Sequence, residues 1–199
     1  MTSEHSSPFL RLFIALAVPP DVRKEIGRAQ GQLRRHAPPG AVSWTQPEQF
    51  HITLKYLGDV PTPQVAELEK SVSKACAGFP TLQLSAHDIG FFPSAQRPRV
   101  IWAGVHDADD RLGELHRRLD DAVRPFAPAE KPKLFTGHIT LGRFKPGRHA
   151  PTETLMERAT VLRNRHFGDW LAGEVALVRS ELTAAGAMHT PVTSFPLVQ

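Results

Sequence analysis

The sequence predicts an α+β fold of two similar lobes, each an antiparallel sheet flanked by helices, with the active site in the cleft between them. Segments with strand and helix character follow one another in an order too mixed for an all-parallel sheet. The four residues His-Ile-Thr-Leu occur twice, at 51–54 and at 138–141, which suggests one copy in each lobe. A chain of 199 residues without a linker suits one domain. We expect residues 1–7 to be disordered and residues 8–199 to form this single domain.

The first half of the chain is predicted to form two strands, each followed by a helix. Residues 9–18 are an apolar run broken only by Arg11, which indicates a buried strand rather than a signal peptide. Asp21 is the expected N-cap of the first helix, and Thr62, before a proline, opens the second. The strand between them lies within 42–57 and carries the first motif. Helical spacing predicts the buried stripe of the first helix: Val22, Ile26, Ala29 and Leu33.

The second half of the chain contains strands and helices in a less regular order. Two strands are followed by a helix with Leu112, Leu115 and Leu119 on one stripe. The strand with the second motif comes next, and a weaker helix and two late strands complete the chain. The expected bounds are 82–89 and 99–105 for the first two strands, 112–123 for the helix, 134–144 for the motif strand, 153–164 for the weaker helix, and 174–183 and 192–198 for the late strands.

The composition indicates an ordinary globular protein. Hydrophobic residues make up 41% and charged residues 22% of the chain, as in typical globular domains. The formal net charge of +4 favours an anionic partner. A single cysteine, Cys76, excludes an internal disulfide framework and a multi-cysteine zinc site. No apolar run reaches the roughly 20 residues that a membrane span needs, so we expect a cytoplasmic protein without a membrane partner.

The duplicated motif predicts a site with two histidines and two threonines. Each copy lies in an apolar, β-branched run that favours a strand, and residues i and i+2 of a strand share one face. His51 with Thr53, and His138 with Thr140, would therefore line one cleft. One neutral imidazole can accept a proton while the other, as imidazolium, donates one. Two threonine hydroxyls can donate hydrogen bonds to an anionic tetrahedral group between the histidines, and a phosphate fits that description.

Strand alternation sorts the residues that follow each motif. Strict alternation puts Arg143 on the face opposite His138, unless a bulge or bend at Gly142 turns it inward. Lys55 shares the parity of His51 and would approach the site or stand exposed. Tyr56 shares the parity of Ile52, so we expect it in the core, although it is also a candidate to stack on a base.

Two other interpretations of the histidines stay open. A single His-x-Thr on a strand is common and often structural. A metal site would need further ligands beside the two histidines; Asp59 and Asp88 are available, but their spacing does not demand this role. The remaining histidines show no reliable ligand spacing.

The motifs and their surroundings resemble those of a known superfamily. Residues 50–58 read Phe-His-Ile-Thr-Leu-Lys-Tyr-Leu-Gly, and residues 137–143 read Gly-His-Ile-Thr-Leu-Gly-Arg. These segments resemble the two signature motifs of the two-histidine phosphoesterases. The closest likeness is to the bacterial and archaeal RNA 2′,3′-cyclic phosphodiesterases, first named 2′-5′ RNA ligases. The likeness covers nearly the whole chain, because residues 11–16, 42–45 and 180–183, together with Gly186, also match the family's layout.

The resemblance implies a bilobal α+β fold, a water-filled cleft, and neither a metal nor a nucleotide cofactor. It implies that His51 is the proton donor and that His138 is the proton acceptor that activates water. Thr53, Thr140 and Arg143 would bind the phosphate oxygens. The family often carries a tyrosine after the glycine of the late hairpin. His189 occupies roughly that place here, and its role stays open.

The resemblance therefore implies a metal-independent enzyme that opens RNA 2′,3′-cyclic phosphate ends to 2′-phosphomonoesters. Run backwards, the same site would join RNA ends through a 2′-5′ bond. The expected partners are RNAs with cyclic ends, tRNA fragments among them, or cyclic nucleotides, and we expect a monomer. Two alternatives stay open. One is another phosphodiesterase of the superfamily, acting on 2′-5′ oligoadenylates or small cyclic nucleotides, and the other is a non-catalytic RNA-binding protein.

Overall fold

The computed structural model describes residues 8–128, 134–146, 152–183 and 186–198. The expected disorder of residues 1–7 lies outside the described residues. The strands are β1 (Phe9–Ala17), β2 (Val42–Trp44), β3 (His51–Pro61), β4 (Leu82–Phe92), β5 (Val100–Asp107), β6 (His138–Phe144), β7 (His166–Ala172), β8 (Glu174–Thr183) and β9 (Gly186–Pro196). The helices are α1 (Pro20–His36), α2 (Val65–Cys76), α3 (Arg111–Ala122) and α4 (Glu153–Val161).

The described strands form one antiparallel sheet made of two halves. The strand order is β7-β4-β5-β6-β3-β1-β8-β9, and β2 pairs with the outer part of β6. The halves meet at β3 and β6, which are joined through the single pair of Ile52 with Ile139. The sheet therefore opens at its centre, and the two strands that begin with the motif histidines border this opening. The predicted α+β fold with two lobes is confirmed, although the lobes share one continuous sheet.

Each half of the sheet is covered by two helices. Helices α2 and α3 pack on each other and against β9 and β3, whereas α1 and α4 pack on each other and against β7 and β4. The predicted stripe of α1 is buried, with Ile26, Ala29 and Leu33 fully enclosed. Burial of these apolar stripes on one face of the sheet leaves the other face open at the centre. No described helix combines the length and apolar character that a membrane crossing requires.

Several element bounds differ from the sequence prediction. Asp21 lies inside the first turn of α1 and makes no cap, because Pro19 occupies the N-cap position. The motif strand begins at His138 rather than at 134, and β9 begins at Gly186 rather than at 192. The sequence analysis missed β7. Its apolar alternation is interrupted where Ala86 pairs with Gly168 and His87 with His166, so that Phe167 is an extra residue in the strand.

Candidate active site

The two motif copies lie on adjacent central strands and present equivalent side chains. Ile52 and Ile139 are fully buried on the core side of the sheet. His51, Thr53, His138 and Thr140 alternate with them and remain half-buried on the open face. The alternation predicted from the sequence therefore holds within both motifs, and the structure brings the two copies to the same opening.

Both imidazoles are held by the same local hydrogen bond. Nδ1 of His51 lies 2.7 Å from the carbonyl oxygen of Gln49, and Nδ1 of His138 lies 2.8 Å from that of Thr136. A carbonyl only accepts, so the proton of each neutral ring is assigned to Nδ1. Nε2 is then the basic nitrogen. In His51 it lies 3.0 Å from the hydroxyl oxygen of Thr53.

The cleft disfavours charge on either histidine. Burial lowers the pKa of His51 to about 4; the bond to Gln49 opposes this shift, and His189, His138 and Arg143 add to it. Burial also lowers the pKa of His138, again with an added contribution from Arg143. Both imidazoles are therefore neutral in the free cleft at neutral pH.

A β-bulge turns Arg143 toward the site. Trp102 of β5 pairs with Thr140, while the preceding Ile101 pairs with Gly142, so Leu141 is an extra residue in β6. The bulge resets the alternation: Leu141 stays in the core, and Arg143 lines the cleft with Thr140. The bend anticipated at Gly142 thus occurs one residue earlier. Gly142 permits the close approach of β2, because a Cβ there would lie 2.7 Å from Cγ1 of Val42.

Gln30 of α1 holds this bulge from the core side. Its side chain is 7% exposed, and Nε2 donates to the carbonyl oxygens of Leu141 at 2.8 Å and of Thr45 at 2.6 Å. The Leu141 carbonyl also accepts from the Thr45 backbone at 2.9 Å. The sequence analysis missed Gln30. The available signal was a polar residue on the buried stripe, one helical turn after Ile26.

A second bulge occurs at the equivalent place in β3. Ala15 pairs with Thr53, and Ile14 pairs with Lys55, so Leu54 is the extra residue. Lys55 consequently points to the helix side, where its Nζ lies 2.6 Å from Oδ1 of Asp120 in α3. Tyr56 faces the cleft and is 45% exposed. The expectations that Lys55 shares the face of His51 and that Tyr56 belongs to the core are wrong, because both assumed a regular strand.

The open face holds a cavity of about 390 Å³. Its described lining residues include His51 but not His138, whose ring packs edge-on against Phe92 with centroids 5.0 Å apart. The full lining consists of Phe13, Ser43, Trp44, Thr45, Gln46, Gln49, His51, Thr53, Tyr56, Thr140, Arg143, Ser180, Ala187 and His189. The cavity therefore extends from the centre of the opening toward the side of His51.

His189 reaches the site from the edge strand β9. Its ring centroid lies 5.2 Å from that of His51 and 4.9 Å from that of Phe13. Gln49 ties this strand to the first motif, because its side-chain Nε2 donates to the Ala187 carbonyl while its own carbonyl accepts from His51. Burial lowers the pKa of His189. His189 is far from His51 along the chain, and the sequence did not indicate that a third imidazole would lie beside His51.

A separate cluster contains side chains of the metal-ligating type. Candidate ligand atoms of His87, Asp88 and His106 lie within 4.8 Å of one another. The two imidazoles are stacked with centroids 3.7 Å apart. Oδ2 of Asp88 is bonded to His87, and Oδ1 accepts from the backbone of Asn164. These bonds explain the cluster as a structural element outside the cleft.

Comparison with known proteins identifies the family. Residues 16–102, which include the first motif, match the family described as LigT like Phosphoesterase. The RNA 2′,3′-cyclic phosphodiesterase of Methanothermobacter thermautotrophicus is 31% identical over 189 residues, which cover 94% of this chain and 99% of that protein. The chain belongs to the RNA 2′,3′-cyclic phosphodiesterase family. The resemblance inferred from the two motifs is thereby confirmed.

Solved structures share the fold of this phosphodiesterase family member. The protein TT0787 of Thermus thermophilus superimposes with a TM-score of 0.75 at 27% identity, covering 94% of this chain and 98% of that one. LigT of E. coli, complexed with 3′-AMP, gives a TM-score of 0.75 at 23% identity, covering 96% and 99%. The curled antiparallel sheet with its helices is therefore a fold that both solved proteins have.

Proposed function

We propose that this protein hydrolyses RNA 2′,3′-cyclic phosphate ends to 2′-phosphomonoesters by acid–base catalysis with His51 and His138. The observation that carries the proposal is the pair of equivalent imidazoles, each fixed through Nδ1, at the opening between β3 and β6. Phosphate binding alone would not require an acid and a base. The names of the curated relatives support the same reaction.

In the proposed reaction, Nε2 of His138 removes a proton from water as its oxygen attacks phosphorus. The bond from phosphorus to O3′ breaks opposite the entering oxygen, and His51 gives O3′ a proton. Thr53 and Thr140 donate to the phosphate oxygens, and Arg143 adds positive charge beside them. The product keeps its phosphate on O2′.

The position of the cavity supports this division of roles. The cavity is lined by His51 but not by His138, so it offers room for the nucleoside on the side of His51. A ribose held there would direct its departing oxygen toward His51. Water would then enter from the opposite side, next to His138.

The negative charge of the substrate stabilises the protonated form that His51 needs as the acid. Burial lowers the pKa of His51 to about 4 in the free cleft, and none of the described cavity-lining residues carries a carboxylate. An anionic phosphodiester beside the imidazole favours its protonated form and raises the pKa. Binding of substrate would thus be coupled to proton uptake by the acid.

The proposal extends to partners and location. RNAs with cyclic ends, tRNA fragments included, and cyclic nucleotides would enter the same cleft, and ligation through a 2′-5′ bond would be the reverse reaction. We further propose a cytoplasmic monomer. The free, buried thiol of Cys76 fits a reducing compartment, and light scattering would test the monomer.

The deciding experiment measures turnover of 2′,3′-cyclic AMP and a cyclic-ended oligonucleotide in the presence of a chelator, with products resolved by phosphorus NMR. We expect a 2′-phosphate product and a loss of about 10²-fold or more in His51→Ala and His138→Ala. His106→Ala, outside the cleft, is the matched control and should keep full activity.

Four results would contradict the proposal. Near-full hydrolysis by a folded His51 or His138 variant would exclude the two-histidine mechanism. A predominantly 3′-phosphate product would overturn the orientation. Activity lost on chelation and restored by zinc would favour a metal site, and preferential cleavage of a 2′-5′ oligoadenylate would favour the alternative substrate.

A further inference from the structure

His189 is the third imidazole of the cleft, and its hydrogen-bonding environment differs from that of the two motif histidines. Its Nδ1 atom is buried, and none of the described residues offers this atom a hydrogen-bond partner. The ring is held in place by edge contacts with Phe13 and His51. Because His189 is half-buried and lines the cavity, the open side of its ring is the side that carries Nε2.

This environment assigns the proton of the neutral His189 ring to Nε2. A proton on Nδ1 would bury an N–H group without an acceptor, and the imidazolium form would bury the same group. The lowered pKa of His189 agrees with this assignment. In His51 and His138, by contrast, Nδ1 carries the proton and donates it to a carbonyl oxygen. The cleft therefore holds two imidazoles with a basic Nε2, and a third whose Nε2–H group is a hydrogen-bond donor.

His189 and Ser180 form a polar patch on the hairpin of β8 and β9. The two residues pair directly across the hairpin, and both line the cavity. The neighbouring surface is apolar, because Phe13, which also lines the cavity, packs with Ala15 and Val178 in a small cluster. His189 and Ser180 are therefore the hydrogen-bonding side chains that β1, β8 and β9 contribute to the described lining.

The course of an RNA chain brings its next phosphate to this patch. The proposed function puts the cyclic phosphate between His51 and His138, and the terminal nucleoside on the side of His51. The rest of the chain leaves that nucleoside through its 5′ oxygen, which carries the phosphodiester to the preceding nucleotide. A phosphodiester oxygen only accepts hydrogen bonds, so it suits the Nε2–H group of His189. None of the described lining residues carries a carboxylate that would repel this anion.

We propose that His189 donates a hydrogen bond from Nε2 to the phosphodiester on the 5′ side of the terminal nucleotide. This contact would make the protein bind the ends of RNA chains more tightly than cyclic mononucleotides. The inference rests on the proposed function, because the position of the terminal nucleoside is taken from it.

The test compares two substrates that differ only in the linkage between their nucleotides. One is the adenosine dinucleotide ApA with a 2′,3′-cyclic phosphate end, and the other has a methylphosphonate in place of the internucleotide phosphodiester. The methylphosphonate lacks the negative charge and one acceptor oxygen. In the wild type, KM should be about 10-fold or more higher for the methylphosphonate, which is the scale of a hydrogen bond to a charged group.

Three variants assign this KM ratio to the Nε2–H group. His189→Phe keeps a ring against Phe13 and His51 but has no donor, so the ratio should fall to near 1. His189→Gln has a side-chain amide that can donate from about the position of Nε2, and it should keep most of the ratio. Met188→Ala, next to His189 on the other face of β9, is the control for disturbance of the edge strand and should keep the full ratio.

Two measurements without turnover separate this inference from the proposed function. Calorimetry compares the binding of ApA with a 2′-phosphate end and of its methylphosphonate counterpart, and it reports on the contact even if no cyclic substrate is hydrolysed. Nitrogen NMR reads the tautomers directly, and we expect Nε2–H in His189 but Nδ1–H in His51 and His138.

Three results would overturn the proposal. Ratios near 1 in the wild type, for both KM and affinity, would show that the next phosphate is not bound at this patch. Ratios that persist in His189→Phe, whatever the loss of absolute affinity, would assign the contact to another residue. A proton on Nδ1 of His189 in the neutral ring would remove the donor from the cleft.

Discussion

Replacement of Gln30 by methionine tests whether a helix on the core side positions Arg143. Methionine keeps the length of the side chain but removes both donors to the carbonyl oxygens of Leu141 and Thr45. Without them, the bulge at Leu141 loses a buried contact that a regular strand would not need. We expect Gln30→Met to be less stable and to bind substrate more weakly.

The magnitude follows from the two hydrogen bonds. The Leu141 carbonyl keeps its hydrogen bond from the Thr45 backbone. Losing the bond from Gln30 there therefore costs only the free energy of one ordinary hydrogen bond. The Thr45 carbonyl loses a buried donor, which costs more. The sum is roughly 2–3 kcal/mol, partly offset by burial of the methionine. For a chain of this size, the melting temperature should fall by about 4–10 °C.

The assay combines thermal and urea unfolding with KM for 2′,3′-cyclic AMP. Gln32→Met, half-buried on the same helix, is the matched control. If the bulge sets the orientation of Arg143, Gln30→Met should raise KM. Adding Arg143→Ala to that variant should raise KM little further, because both changes remove the same contribution of Arg143 to substrate binding. A variant that matches the wild type in both stability and KM would refute the role of Gln30. Lower stability with an unchanged KM would refute the link to Arg143.

The remaining predictions concern protonation and phosphate binding. Because the pKa values of His51 and His138 in the free enzyme are lowered, kcat/KM should depend on pH as a bell-shaped curve whose maximum lies below about pH 6.5. Arg143→Gln should move it upward, and a plateau through pH 8 in the wild type would contradict this. The pKa of His51 falls from 6.5 to about 4 on folding, so its contribution to stability is complete above pH 6.5 and shrinks as pH falls. At pH 5 this lowers the free energy of unfolding by about 2 kcal/mol. In urea titrations, the stability of His51→Gln should therefore fall less between pH 7 and pH 5 than that of the wild type. Thr53→Val and Thr140→Val should each lower kcat/KM about 10- to 100-fold, with unchanged circular dichroism; full activity would place the hydroxyls outside the phosphate site.

The sequence alone determined the chemistry that is available and its local presentation. The duplicated motif, with its β-branched residues, specified two strands that carry histidine and threonine on one face, because side-chain alternation is a property of the extended backbone itself. The amphipathic stripes of α1 and α3 were predictable for the same reason. Repetition of the motif also indicated two similar lobes, although not that they share a sheet.

Only the tertiary structure decided which residues beyond the motifs enter the cleft. A bulge is set by the register between two strands distant in sequence, and each one reverses every face assignment after it. Arg143 and Tyr56 therefore reach the cleft, whereas Lys55 turns to Asp120. The contacts of Gln30 with Leu141 and of His189 with His51 depend on how helices and edge strands pack across the sheet. Periodicity describes neighbours along the chain, and these groups become neighbours only when the sheet curls and closes its core.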